Sequence, residues 1–255
     1  MRCAATAGVQ VMALTDHDTL AGLDEAHHAA QQHGLDFVPG VEISVTWQQC
    51  TIHIVGLRVD SGSAVLQTGL DKLREFRVWR AEEIDRRLQK AGIAAMYPRA
   101  CELAVGGLVS RAHFARALIE AGYAADMRGV FKNYLVKDKP GYVPGTWASL
   151  ADAVHWINAA GGQAVIAHPA RYRLTRTKLR RLIQDFIAAG GQAIEVVSGS
   201  HSRDDQLTIA QHARDFDLLA SAGSDYHGPE NTWITLGKLP ALPTGCKPVW
   251  QAWAA

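Results

Sequence analysis

The chain has 255 residues, 48% hydrophobic and 20% charged, which suits a globular protein with one embellished α/β domain or two small ones. Its 26 basic and 25 acidic side chains leave a formal net charge of +1, so no global field draws it to duplex DNA or to an anionic membrane. Four scattered cysteines without a C-x-x-C pair exclude a zinc ribbon and a disulfide framework, and no apolar run approaches membrane-spanning length, so a cytoplasmic setting is expected.

Val9 to Leu14 is a short apolar run that ends in Thr15-Asp16-His17-Asp18-Thr19, the pattern of a strand leaving for a helix. Asp18 or Thr19 can cap that helix, Leu20, Leu23, Ala26 and Ala30 mark its buried face, and Gly34 closes it. Phe37 to Glu42 reads as a second buried strand and Thr51 to Gly56 as a third, with Trp47 to Cys50 as the turn. From Ser61 to Pro140 the texture becomes helical. A charged helix over Asp71–Ala91 carries Leu73, Phe76, Ile84 and Leu88 as its stripe, a second is capped by Ser110 and ends near Gly122, and a third covers Asp126–Tyr134. Alternation resumes after Gly145. Helices are expected over Ser149–Gly161, Thr175–Ala189 and Arg203–Phe216, and strands over Ala164–Ala167, Ala193–Val197 and Leu218–Ala222. Strands alternating with helices argue for a parallel α/β sheet or barrel. Residues 1–60 and 141–255 form that part, and 61–140 an inserted helical subdomain.

Of the 11 histidines, His27, His28, His33, His155 and His212 fall inside helical patterns, as solvated or packing residues. The rest sit beside strands. Asp16-His17 follows one strand, Glu42 ends the next, His53 lies in the third, His168 follows Val165-Ile166-Ala167, and Asp225-x-His227 follows the last. Strand carboxyl ends form a common rim in parallel α/β folds, and active sites are built there. A single histidine at a strand end is more often structural than a ligand; repetition at five strand ends favours a metal site. Imidazole and carboxylate without thiolate suit Zn, Mn or Fe, and one carboxylate among several imidazoles can bridge two ions that stabilise a transferred phosphoryl group.

The segments Ala13-Leu14-Thr15-Asp16-His17-Asp18-Thr19, Pro39-Gly40-Val41-Glu42-Ile43-Ser44, Ile52-His53-Ile54-Val55-Gly56, Ala167-His168-Pro169, Ser198-Gly199-Ser200-His201 and Gly223-Ser224-Asp225-Tyr226-His227 resemble the PHP (polymerase and histidinol phosphatase) superfamily. The likeness is to its stand-alone phosphoesterases acting on nucleoside 3′,5′-bisphosphates and RNA 5′ ends. It spans nearly the whole chain and includes Ser110-Arg111-Ala112-His113-Phe114-Ala115-Arg116 of the insertion. The resemblance implies a distorted (β/α)7 barrel with two to three divalent ions (Mn, Zn or Fe). In it Glu42 bridges two ions, His53 and His168 complete one site, Asp225 serves the other, and His17 and His227 hold a third. Asp16 orients a ligand from behind it.

Members of that family open with a strand bearing a His-x-His pair, whereas Met1 to Gly8 here match the end of the family's first helix. The resemblance therefore implies a missing first strand, attributed to a misplaced start or truncation rather than to ligand loss. The expectation is an open barrel edge and impaired activity, restored by an upstream extension.

A phosphate ester needs cationic donors. Arg171, after the Ala167-His168-Pro169 turn, is placed to grip phosphate bidentately. Arg111, His113 and Arg116 fall at helical spacings that could face the barrel mouth, and Lys132 and Lys139 are further candidates, although a solvated helix face is the commoner fate of one such residue. Ser198 is a substrate contact, and His201 a substrate contact or a proton donor to the leaving group. Glu42, Asp225 and His201 are thus the expected catalytic residues. The reaction is hydrolysis of a phosphate ester, namely the 3′-phosphate of a nucleoside bisphosphate, short RNA from its 5′ end, or both. The competing readings are an inactive nucleotide-binding or regulatory protein and a metal-dependent amidohydrolase.

Overall fold

A computed structural model describes residues 1–105, 107–228 and 234–253. The described chain divides into two compact units, residues 1–70 with 148–255, and residues 71–147.

In the first unit, helix α1 (Arg2–Thr6) leads into strand β1 (Val11–Leu14), helix α2 (Leu23–Gln32) and the hairpin β2 (Asp36–Trp47)–β3 (Cys50–Leu57). Helix α3 (Ala64–Lys90) starts in this unit and continues into the second. The second unit contains helices α4 (Tyr97–Leu103), α5 (Arg111–Glu120) and α6 (Met127–Val130), with a wide turn over Phe131–Leu135. Helix α7 (Leu150–Ala159), β4 (Gln163–Ile166), a short turn over Pro169–Tyr172, helix α8 (Arg176–Ala188), β5 (Ala193–Ser198), helix α9 (Arg203–Asp215), β6 (Leu219–Gly223) and β7 (Lys247–Pro248) then complete the first.

Among the described residues the seven strands form one sheet whose order follows the chain. Neighbours are parallel except around β3, which is antiparallel to both β2 and β4. The exception follows from the turn: Gln48 and Gln49 both adopt positive φ, 45° and 67°. A two-residue loop of that kind matches strand twist and can only return antiparallel. A wholly parallel sheet is therefore not what forms, although the strand-helix alternation holds elsewhere. Val38, Leu57, Val165 and Ala193 on β2 to β5 share one interior with Val249, Ala13 and Leu219, so the sheet curls into a distorted half-barrel.

The outer face is covered by helices. Ser149, Thr175 and Ser202 cap α7, α8 and α9 by accepting from the backbone N–H three residues on, which fixes where each starts. Helix α8 buries Leu179, Leu182, Ile183 and Phe186, and burial of each such side chain contributes about 1.5–3 kcal/mol. The second unit has its own core, built from Ile84, Leu88, Phe114, Leu118, Val130 and Leu135 with their neighbours.

Several boundaries differ from expectation for identifiable reasons. Helix α2 begins at Leu23 with Gly22 at its N-cap and no side-chain cap, while Asp18, at φ 54°, turns its carboxylate inward to Ser44. Strand β2 runs on through Trp47 because Ile43, Ser44, Val45 and Thr46 pair with β3.

Candidate metal centre at the barrel rim

Ser44 pairs with His53 across β2 and β3, and Glu42 lies two residues before Ser44. Side chains two apart on a strand share a face, so the hairpin alone brings Glu42 and His53 together. Beyond β1, the Asp16–Asp18 segment continues the pairing: Glu42 N–H donates to Asp16 O at 3.1 Å and Asp18 N–H to Glu42 O at 2.9 Å. Asp18, fully buried, also accepts from Ser44 N–H at 2.7 Å. Glu42 is thus clamped on both flanks, with His17 bridged to it.

Glu42 is 6% exposed and its carboxylate is ringed by imidazoles. His53 Nδ1 lies 3.0 Å and His168 Nε2 2.9 Å from its Oε1, and His17 Nδ1 is 3.4 Å from its Oε2. Burial pushes the carboxyl up, but His168, His17 and His53 together outweigh it and hold it well below the usual range. The ligand atoms of His17, Glu42 and His53, and those of Glu42, His168 and Asp225, each fall within 4.8 Å of one another. His227 completes the ring, 6.1 Å from His17 between ring centroids. Its Nδ1 donates to Asp225 O at 2.8 Å, which leaves Nε2 as a lone-pair donor.

Two of these residues sit on backbone that side chains seldom adopt, His168 at φ 26° and Asp225 at φ 54°. Such conformations persist only where the surroundings impose them, and they gather at functional sites. For His168 the cause is visible: its N–H donates to Glu195 Oε2 at 2.5 Å. Glu195 lies in β5 beside a register shift, which aims its side chain inward. Burial, then Asp225 and Glu42, push its carboxyl well above the ordinary value. Gly223 faces it on β6, where any β-carbon would collide with Glu195 Oε1.

The residues present fit a divalent cation. Tetrahedral nitrogen and oxygen ligands at ordinary bond lengths stand about 3.3 Å apart. His53 Nδ1 and His168 Nε2 are 3.3 Å apart, and two facing imidazole nitrogens can share at most one proton. His168 Nδ1 is buried without a hydrogen-bond partner. The donors are nitrogen and carboxylate oxygen, a set for Zn, Mn or Fe. A cavity of about 630 Å³ opens beside them, with His17, Glu42, His168, Glu195 and Asp225 at its polar end and Leu14, Val55 and Val165 below.

The other expected site residues divide by unit. In the first, Asp16 lines the cavity beside His227, and Arg171 Nη1 lies 2.5 Å from Asp225 Oδ2. Ser198 is buried at the end of β5, 3.4 Å from Ser200. His201 Nδ1 donates to Val196 O at 3.1 Å and its Nε2 accepts from Ala170 N–H at 3.4 Å, so both ring nitrogens are engaged.

In the second unit, His113 Nδ1 accepts from Ser110 N–H and caps α5, and Lys132 and Lys139 are exposed. Arg111 lies over the Phe131 ring at 5.8 Å and Arg116 one turn further along α5. Arg77 and Arg80, which the sequence did not single out, stack on Trp147 at 5.0 and 5.5 Å. Burial, with Arg111 and Arg77 beside it, brings Arg80 down to about 10. Three crowded guanidinium groups favour an anion.

Among the residues missed, Glu195 had a signal, as the one carboxylate in the apolar run Ala193–Val197. Tyr172 had none, and Asp18 reads as a helix cap.

No protein-family model matches the chain. It is 49% identical to a 3′,5′-nucleoside bisphosphate phosphatase of Chromobacterium violaceum over 97% of this chain and 87% of that protein. It is 43% identical to a 5′-3′ exoribonuclease of Haemophilus influenzae over 96% of this chain and 88% of that protein. Among solved structures, an amidohydrolase of Chromobacterium violaceum with bound sulfate and no metal superposes with a TM-score of 0.93 at 48% identity, covering 98% of this chain and 88% of its own. A candidate metal-dependent phosphoesterase of Bifidobacterium adolescentis superposes with a TM-score of 0.79 at 25% identity, covering 98% and 86%.

Proposed function

We propose a function from the premise that this chain belongs to the PHP-type metal-dependent phosphoesterases, among the nucleoside bisphosphate phosphatases and 5′-3′ exoribonucleases. It is a hydrolase of phosphate esters on a distorted PHP barrel. The substrates we assign are nucleoside 3′,5′-bisphosphates, which lose the 3′-phosphate, and short RNA trimmed from its 5′ end. Two to three divalent ions serve the reaction, Mn, Zn or Fe, in a cytoplasmic protein.

The observation that carries this reading is three imidazoles from three chain segments meeting one buried, ionised carboxylate, with Asp225 alongside. His17, Glu42, His53, His168, Asp225 and His227 would hold the ions. Bound there, divalent ions supply the Lewis acidity that makes water a nucleophile near neutral pH and that screens charge on phosphoryl oxygens. Glu42 stays ionised and fixes the three imidazoles. Arg171, half exposed beside Asp225, grips a non-bridging phosphate oxygen at the cavity mouth. In the second unit, Arg111, with Arg77 beside it, is assigned to binding an anionic group of the substrate, with His113, Arg116 and Lys132 as further contacts. His201 ties the turn after His168 to β5, with Nε2 on Ala170 N–H and Nδ1 on Val196 O, so both its nitrogens are used, and solvent protonates the departing alcohol.

The discriminating experiment presents one metal-loaded preparation with adenosine 3′,5′-bisphosphate, a 5′-phosphorylated RNA oligonucleotide and simple amide substrates. Phosphate or mononucleotide release is expected. Turnover of amides alone would favour the amidohydrolase reading suggested by one similar structure, and nucleotide binding without turnover would favour a regulatory protein.

A further inference from the structure

Strands β3 and β4 run antiparallel, with Ile54 opposite Ile166, so the next pair outward is His53 and Ala167. In such a ladder every second opposed pair exchanges two backbone hydrogen bonds, and the bond from Ala167 N–H to His53 O marks His53 and Ala167 as a pair of that kind. One is made: Ala167 N–H donates to His53 O at 3.1 Å. The other is not. His53 N–H instead donates to the Tyr172 hydroxyl at 2.8 Å, and that hydroxyl donates to Ala167 O at 2.8 Å. One oxygen atom is thus interposed in the last rung, at the point where His53 and, one residue on, His168 leave the sheet. The Tyr172 ring stands edge-on to His168 with centroids 5.4 Å apart, so the same side chain touches both.

We infer that the Tyr172 hydroxyl is a spacer built into the β3–β4 ladder, and that it sets the aperture between His53 Nδ1 and His168 Nε2 into which a cation must fit. This rests on the metal reading above. Without the hydroxyl, either the rung closes on itself or His53 N–H and Ala167 O are left unpaired, and both outcomes move His53 relative to His168. Tyr172 is therefore a positioning residue; it touches neither substrate nor water in the reaction.

The test uses the full chain stripped of metal and titrated with Co2+, whose visible absorption reports ligand geometry without turnover. Tyr172→Phe keeps the ring against His168 and removes only the oxygen. Its Co2+ affinity is expected to fall by roughly 10–100-fold, as for partners behind metal ligands, with a displaced band and a cooperative metal-free melting transition only a few degrees below wild type. Replacing Tyr172 by 4-aminophenylalanine, which restores a polar N–H at the same place, is expected to return the band.

A Tyr172→Phe protein with wild-type affinity and band would overturn the spacer while leaving the metal centre standing. A wild-type chain that binds no Co2+ would overturn the metal centre and this inference with it. Should Tyr172→Phe not fold, the 4-aminophenylalanine protein decides: a wild-type band supports the spacer and a displaced one overturns it.

Discussion

His53 Nδ1 and His168 Nε2 face each other at 3.3 Å across a single oxygen of Glu42. Neither ring arrives there by local sequence, since 115 positions separate them. Two imidazole nitrogens and a carboxylate oxygen form a stable triangle only when a proton or a cation sits among them, and a divalent cation satisfies all three at once.

Glu42→Gln keeps the volume and removes the charge that the three imidazoles share. Metal binding is expected to weaken by more than the roughly 10–100-fold that loss of a partner behind a ligand costs, and ester hydrolysis should fall with it. Elemental analysis after gel filtration, beside a phosphate-release assay, checks both. Full metal occupancy in Glu42→Gln would remove this carboxylate from the centre.

Glu195→Ala takes away the acceptor that holds His168 in its left-handed conformation. The orphaned His168 N–H should cost about 1–3 kcal/mol of stability and loosen metal binding. Glu195→Gln, which keeps an acceptor, should recover most of the stability. Urea denaturation of the two metal-free variants distinguishes them; equal losses would show that the hydrogen bond to His168 is not what Glu195 provides.

Arg171→Ala and Arg111→Ala remove phosphate grips without touching the imidazole ring. Each should raise KM about tenfold or more, because a charge-assisted contact to phosphate is lost; metal content should stay unchanged in Arg111→Ala, whereas Arg171→Ala also removes the guanidinium paired with Asp225 and should loosen metal binding. Kinetics on adenosine 3′,5′-bisphosphate read this directly. An unaltered KM in either variant would exclude that residue from substrate binding.

His212 lies on α9, 3% exposed, and its Nδ1 has no hydrogen-bond partner. Burial, and then Arg180 and Arg176, lower its pKa from 6.5, with Asp215 partly offsetting them. A histidine lowered on folding takes up its proton more readily in the unfolded chain. Stability is therefore fully present above pH 6.5 and is lost as pH falls through the folded value. His212→Leu should flatten that acid-side loss. Melting temperatures of the two proteins across pH 5 to 8 decide it; parallel curves would show that His212 does not contribute.

The sequence disclosed most of the ring because its members close apolar runs: Leu14 before Asp16-His17, Ala167 before His168, Gly223 before Asp225. A strand makes its exit residue visible. Less legible was whatever depends on register between distant strands. Glu195 stands out in the sequence only as the one carboxylate in the apolar run Ala193–Val197, and the bulge that turns it inward needs β6 to be seen. Tyr172 reads as a loop aromatic until the missing β3–β4 hydrogen bond is found. Asp18 looked like a helix cap because Asp caps helices well, but its buried bond to Ser44 prevailed. The reversal of β3 was concealed in Gln48-Gln49, residues with no marked preference for positive φ.

The most direct test is a metal titration followed by turnover in the same cuvette. The chain is stripped with a chelator and supplied with Mn2+ in steps, and phosphate release from adenosine 3′,5′-bisphosphate is recorded beside bound metal. Activity should be absent without metal, rise in step with occupancy and return to baseline on renewed chelation, and Glu42→Gln should stay flat throughout. Undiminished phosphate release by the metal-free chain, or an equal rise in Glu42→Gln, would contradict the assignment of this rim as a metal-dependent phosphoesterase centre.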